Sequence, residues 1–224
     1  MKSRPVPPRW VHALWLLALG GALGGVWFVL DRPPEAETEP VMVGWRDFFH
    51  DHLRPALPVT DGFDLPLRPP SGEGARRASD FRQGNLLGEW WETTRGTGTG
   101  AEPVLSAAHG WVTLAEDFGR PWGNVVIVAH RLPDSDPAGS VEILYANLSS
   151  LAVQRGHFVR RGQLLGAIDQ DPRGRARLYL EVRDEIGMGL GPTESDDPLG
   201  WLEPSLFFSQ RPAAEPALPL PPDH

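Results

Sequence analysis

Between residues 123 and 184 short apolar runs alternate with Gly, Pro and Asp turns, a rhythm that constrains this chain to a β fold. The runs are 124–130, 141–146, 157–159, 163–168 and 177–183, with two more upstream at 103–106 and 110–116. They are too short for stable helices, and such short, closely spaced strands pack as a compact sandwich or barrel-like pair of sheets. The last run is the most informative. Period-two alternation puts Leu178, Leu180 and Val182 on one face and Arg177, Tyr179, Glu181 and Arg183 on the other. The first set belongs to a core, so the second is expected to line whatever groove that sheet presents.

Composition narrows the function classes. The 25 Gly and 24 Pro imply many turns and little long helix beyond the N-terminal region. Nine Trp are available for cores and for binding surfaces. Cys is absent, which excludes disulfides, thiolate metal sites and a cysteine nucleophile; this suits an oxidising compartment without requiring one. The net charge is −8, and the first 30 residues carry only Lys2, Arg4 and Arg9, so the remainder is more acidic still. An acidic body argues against nucleic acid as a partner.

Residues 1–9 read as a cytoplasmic N-terminus and residues 10–30 as a transmembrane anchor. From Trp10 to Leu30 there is no formal charge, and a helix of that length spans about 31 Å, close to a bilayer's hydrocarbon core. The basic front flank and the acids Asp31, Glu35, Glu37 and Glu39 behind keep the N-terminus in the cytoplasm and orient the domain outward, across the membrane. A cleaved signal peptide fits less well: its apolar region is normally shorter, and no small-x-small site follows Leu30. Gly20/Gly24 and Gly21/Gly25 offer a packing face for a homodimer through the anchor, although glycine is common in membrane helices anyway.

Residues 31–60 read as a linker: a Pro/Glu-rich stretch, then a short amphipathic helix over 41–53 with Trp45, Phe48, Phe49 and His52 or Leu53 on one face. Docking on the domain is the plain expectation for that face, with Pro55 and Pro58 ending the helix. Residues 61–208 form the domain, with a short strand at 62–67 and a loop at 69–80. Residues 209–224 read as a disordered or extended Pro-rich tail.

A series of motifs in order carries a family resemblance. It runs through Gly62-Phe63-Asp64-Leu65-Pro66, Leu87-Gly88-Glu89, Ala108-His109-Gly110-Trp111-Val112 and Trp122-Gly123-Asn124-Val125-Val126-Ile127. It continues through Leu144-Tyr145-Ala146-Asn147-Leu148, a Val153-x-x-Gly156-x-x-Val159-x-x-Gly162-Gln163 ladder, Leu178-x-Leu180-Glu181-Val182-Arg183, Gly189-Leu190-Gly191-Pro192 and Gly200-Trp201-Leu202-Glu203-Pro204. Over residues 61–208 the chain resembles the LytM/lysostaphin-type zinc endopeptidases, which cut peptidoglycan cross-bridges. The resemblance implies a mainly β, two-sheet domain (duplicated hybrid motif) with a zinc groove on one face.

In that family the metal is held by a His-x-x-x-Asp pair and the second His of a His-x-His, with two further His as catalytic helpers. Matched residue by residue, the first pair falls on Leu86 and Trp90, the His-x-His on Arg177 and Tyr179, and the other helper on Asn147. Leu and Trp donate nothing to zinc, Arg cannot lose its proton, and Tyr179 is at best a weak oxygen donor at neutral pH. Glu89, Glu92, His109, His130 and His157 remain, but no two of these His stand at metal-pair spacing, and each reads as a turn or surface histidine. The expectation is therefore a domain without zinc, cofactor or catalytic residues.

Degenerate LytM-type domains act as activators of cell-wall amidases or as parts of envelope assemblies. The resemblance thus implies a regulator or scaffold in peptidoglycan remodelling, with a cell-wall hydrolase or peptidoglycan as partner. The retained groove would bind through Leu86, Trp90, Trp91, Asn147 and Tyr179, with Arg177 and Arg183 as cationic contacts for a carboxylate of a stem peptide or of a partner. Two alternatives stand beside it: a groove filled in as core by Leu86 and Trp90, and an active metalloendopeptidase with a non-standard metal site. The Val-Gly ladder also occurs in biotinyl and lipoyl carrier domains, which attach their cofactor to a lysine; the only lysine here is Lys2, so a carrier is excluded.

Overall fold

The computed structural model of the protein describes residues 47–67, 74–93, 101–133, 136 and 139–214. The expected anchor at 10–30, the Pro/Glu stretch after it and residues 215–224 lie outside the described residues. Among the described residues no helix is long and apolar enough to cross a membrane.

Eleven strands are described: β1 (Ala75–Ser79), β2 (Glu89–Thr93), β3 (Glu102–Leu105), β4 (Gly110–Asp117), β5 (Asn124–Arg131), β6 (Ser140–Leu148), β7 (Ser150–Leu151), β8 (Phe158–Val159), β9 (Leu164–Ile168), β10 (Ala176–Arg183) and β11 (Trp201–Leu202). One short helix, α1 (Pro204–Gln210), follows. The large sheet has the order β1-β2-β10-β6-β5-β4-β8, with β11 on the end of β10; the small sheet is β3-β9-β7. Within the long meander β4-β5-β6-β10 every neighbouring pair is antiparallel. This is the two-sheet β fold the apolar runs predict.

The main core lies between one face of the large sheet and the small sheet. Leu178, Leu180 and Val182 of β10, Val141 and Ile143 of β6, and Val126 and Val128 of β5 meet Val104, Leu165 and Ile168. The alternation read from the sequence thus assigns the core face of β10 as expected. Phe207 and Phe208 of α1 close one end of this core on Phe63, whose ring stands edge-on to Phe207 at 4.9 Å.

The structure corrects four expectations. The supposed loop at 69–80 contains strand β1, whose Ala-Arg-Arg-Ala-Ser sequence reads as polar because it is an edge strand; Arg76 and Arg77 reach inward to Glu92 and Glu89. Conversely, 62–67 is not a strand: only Phe63 bridges to Pro212, and Asp64 donates its N–H to Ala107 O at 2.9 Å. The segment 209–214, expected as loose tail, is tied down by that bridge and by the Arg211–Asp136 ion pair at 2.7 Å. His130, expected at a turn or surface, is wholly buried.

Of the expected helix at 41–53, residues 41–46 with Trp45 lie outside the described residues; the rest is helical, with a π turn (Phe49–Leu53) followed by a 3-10 turn (Arg54–Ala56). Phe49 is buried with Leu57, Ala129 and Ile186, whereas Phe48 stays exposed. The helical segment therefore docks on the domain, over the β5 end of the large sheet's outer face.

Candidate functional site

The site lies on the face of the large sheet turned away from the small sheet. Its floor follows from strand register: Tyr179 on β10 sits opposite Trp90 on β2 and Ala146 on β6. Side chains on neighbouring strands at the same level point the same way, so Trp90 joins Tyr179 while Trp91 points to the opposite face and packs on the main core. Gly88 lets β2 approach β10 this closely: a Cβ there would collide with the Leu180 carbonyl and stand 2.9 Å from the Tyr179 ring.

Two connections build the walls. On one side Leu86, capping a 3-10 turn at Gln83–Asn85, bridges to Glu194, and Leu87 donates its N–H to Thr193 O at 2.9 Å. On the other side the β4–β5 turn closes through Gly123 at φ +65° and brings in Pro121 and Trp122; the Trp122 carbonyl accepts the Asn147 N–H at 2.7 Å. Asn147 itself has φ +67°, a left-handed conformation that Asn tolerates, and its side-chain amide donates to Arg177 O at 2.7 Å.

Between the walls is a cavity of about 180 Å³ lined by Leu86, Trp90, Trp122, Asn147, Tyr179 and Glu194, among others. The Trp90 and Tyr179 rings are 5.1 Å apart and inclined at 50°; Trp122 and Tyr179 are 5.9 Å apart at 65°. Tyr179 is almost fully buried and donates its hydroxyl to Thr193 O at 3.3 Å. Burial first, and the Glu181 carboxylate second, hold this phenol far above its ordinary range, so it is not a phenolate at neutral pH.

Of the seven residues expected to form the groove, the structure brings together four: Leu86, Trp90, Asn147 and Tyr179. Trp91 lies on the other face, its indole N–H donated to Glu89 at 3.0 Å. Arg177 flanks the cavity but is engaged by the buried Glu92 at 3.1 Å. Arg183, expected as a groove cation, is fully buried: its guanidinium binds Glu181 at 2.5 Å, donates to Gly189 O and lies 5.7 Å from the Trp201 ring centre. Its neighbour across the sheet, Glu142, is also buried; desolvation raises that carboxyl above its ordinary value against the opposing pull of Arg183. The charged residue that does line the cavity is Glu194. Neither Glu194 nor Trp122 stands out in sequence as a site residue, because turns bring them in from outside the strands that form the floor.

The positions matched to the family's metal donors and helpers therefore converge in space, four around one cavity and Arg177 beside it. Their chemistry does not fit zinc. Leu86 and Trp90 offer no donor, Tyr179 stays protonated, the Asn147 amide is spent on a backbone carbonyl, and Arg177 brings a positive charge. Among the described residues no group of three or more His, Cys, Asp or Glu could hold a metal ion. The described histidines of the domain are engaged elsewhere: His109 Nδ1 accepts from Arg161 N, His157 Nδ1 from Gln154 N, and His130 Nδ1 lies 2.8 Å from His109 O.

Residues 88–190 match peptidase family M23. No curated protein matches the chain by sequence. Among solved structures, it is similar to a chain of the SpoIIQ–SpoIIIAH pore-forming complex, with 17% identity, 68% of this chain and 94% of that chain covered, and a TM-score of 0.47. It is also similar to the antimicrobial peptidase lysostaphin from Staphylococcus simulans, with 14% identity, 70% and 60% covered, and a TM-score of 0.44. A third is a peptidase M23 from Pseudomonas aeruginosa, with 23% identity, 56% and 46% covered, and a TM-score of 0.39. Residues 88–190, the span that matches peptidase family M23, supply most of the large sheet and the cavity floor.

Proposed function

We propose that this protein is a non-catalytic M23-type domain that binds where its relatives cut. One observation carries the reading: around the positions matched to the metal site, an aromatic and apolar cluster centred on Tyr179 stands where zinc would need imidazole and carboxylate donors. The cluster lines a cavity without filling it, which supports the reading of a binding groove. In this reading residues 10–30 anchor the protein in a bacterial inner membrane, and the domain acts in the periplasm as regulator or scaffold of peptidoglycan remodelling, for example by activating a cell-wall hydrolase.

Metal analysis and a cleavage assay test it directly. Purified protein incubated with zinc and then dialysed should retain well under one equivalent and release no soluble fragments from peptidoglycan sacculi. It should nonetheless co-sediment with sacculi or with a cell-wall hydrolase, and Trp122→Ala should weaken that association. Stoichiometric zinc together with fragment release would establish a peptidase and end this reading.

A further inference from the structure

We propose that the cavity beside Tyr179 is an aromatic cage for the ammonium end of a lysine-type side chain. The inference rests on the reading of this groove as a metal-free binding site, and it specifies what is bound there.

Size comes first. An apolar cavity of about 150 Å³ takes up one benzene molecule. At about 180 Å³ this cavity suits one side-chain terminus and not a length of backbone. The ring geometry comes second. Trp90 and Trp122 are inclined to Tyr179 by 50° and 65°, so three π systems approach one space from different directions. A flat aromatic guest would stack along one ring, whereas inclined rings can turn more than one electron-rich face towards a compact cation.

Charge decides the sign. Glu194 is the charged residue lining the cavity, and it is exposed at the mouth. The two arginines that would repel an amine are each held by a carboxylate: Arg177 by Glu92 and Arg183 by Glu181. The chain's net charge of −8 also favours approach of a cationic group. This reverses the expectation from sequence alone, in which Arg177 and Arg183 were to receive a carboxylate.

The test is a titration of the full-length ¹⁵N-labelled protein, reading the tryptophan indole N–H signals, with Nα-acetyl-lysine amide, Nα-acetyl-norleucine amide and Nα-acetyl-glutamate amide. The lysine amide should shift two indole signals and saturate, with a Kd on the order of 1 mM for a ligand of this size. The norleucine amide, of similar length and no charge, should bind about tenfold more weakly, and the glutamate amide should leave the signals in place. Glu194→Gln, a change at an exposed position, should weaken the lysine amide roughly fivefold while leaving the rest of the spectrum unmoved. Equal binding of norleucine, tighter binding of glutamate, no binding of lysine, or indifference to Glu194→Gln would each overturn the proposal. If lysine fails while sacculus or hydrolase binding persists, the cage is wrong and the non-catalytic reading stands. Stoichiometric zinc would remove both.

Discussion

Replacing Arg183 by Met separates a buried structural cation from a ligand-binding one. The side chain is fully buried, with Glu181 at 2.5 Å and Glu142 opposite it in register. Met keeps much of the volume and removes the charge, leaving two buried carboxylates without their shared counter-ion. Breaking a buried pair from one side costs about 3–5 kcal/mol. An exposed groove cation would cost no more than about 0.5 kcal/mol of stability. For a unit of this size each kcal/mol lowers Tm by about 2–4 °C, so the expected loss is about 6–20 °C.

The pH dependence gives a second, independent readout. The Glu142 carboxyl is held above its ordinary value in the folded state, so the folded form binds more protons than the unfolded form near that value. Such a group weakens the fold at high pH, and the penalty is relieved progressively as pH falls from its folded-state value to its unfolded-state value. Arg183 opposes that rise, so removing it should raise the carboxyl further. The deficit of Arg183→Met should therefore be largest near pH 8 and shrink towards pH 5, as measured by denaturant unfolding followed through tryptophan fluorescence. A variant within about 1 kcal/mol of wild type, or a deficit that grows on acidification, would refute this account of the buried face.

Three further outcomes are expected. His130 is buried, with its proton-free Nε2 unpartnered, and burial lowers it to about 4; stability should be complete above pH 6.5 and fall by about 3 kcal/mol between pH 6.5 and 4. His130→Gln, which cannot charge, should flatten that acid limb in urea unfolding curves taken across the same range. Gly88→Ala should cost about 1–3 kcal/mol, read as a drop in denaturant midpoint, because its Cβ meets the Leu180 carbonyl and the Glu181 and Tyr179 side chains. Tyr179→His, which restores one family donor, should gain no stoichiometric zinc and lose about 2–4 kcal/mol, because the Trp90 and Trp122 rings lose the ring they share.

The strands were legible where apolar runs are bounded by turn residues, and every run named from 103 to 183 is a strand of the structure. β1 was not legible, because an edge strand that presents arginines has neither an apolar run nor a buried face of its own. Alternation on β10 separated two faces correctly but could not say what covers the second. That cover comes from residues far along the chain: Gly189 O and the Trp201 indole complete the Arg183–Glu181 pair. Trp90 and Trp91 illustrate the same limit. Matching residues 85–91 to a ligand segment gives no facing, whereas recognising β2 as a strand sends adjacent tryptophans to opposite sides. Glu194 was invisible for another reason: its place at the cavity depends on pairing with the segment around Leu86, across more than a hundred residues of sequence.

Among the described residues, the outer face of the large sheet is covered at several points around the cavity. At the β5 end Phe49 and Ile186 cover Ala129. Along β10 the Arg183–Glu181 pair lies beneath Trp201 and the carbonyl of Gly189, and Arg177 closes over Glu92 at the far end. At the centre, among the described residues, a cavity opens above Ala146 and Asn147, two of the smaller side chains on a floor that also holds Tyr179. Were this space only vestigial core, a larger apolar residue at position 146 would fill it and add burial at about 25 cal/mol per Å² without disturbing the strand register. The small floor beneath three inclined rings, with a carboxylate at the rim, is the geometry on which the proposed cage rests. In the proposed cage, the want of metal donors at these positions and the opening share one explanation, a cation held by aromatic faces in place of one held by coordination.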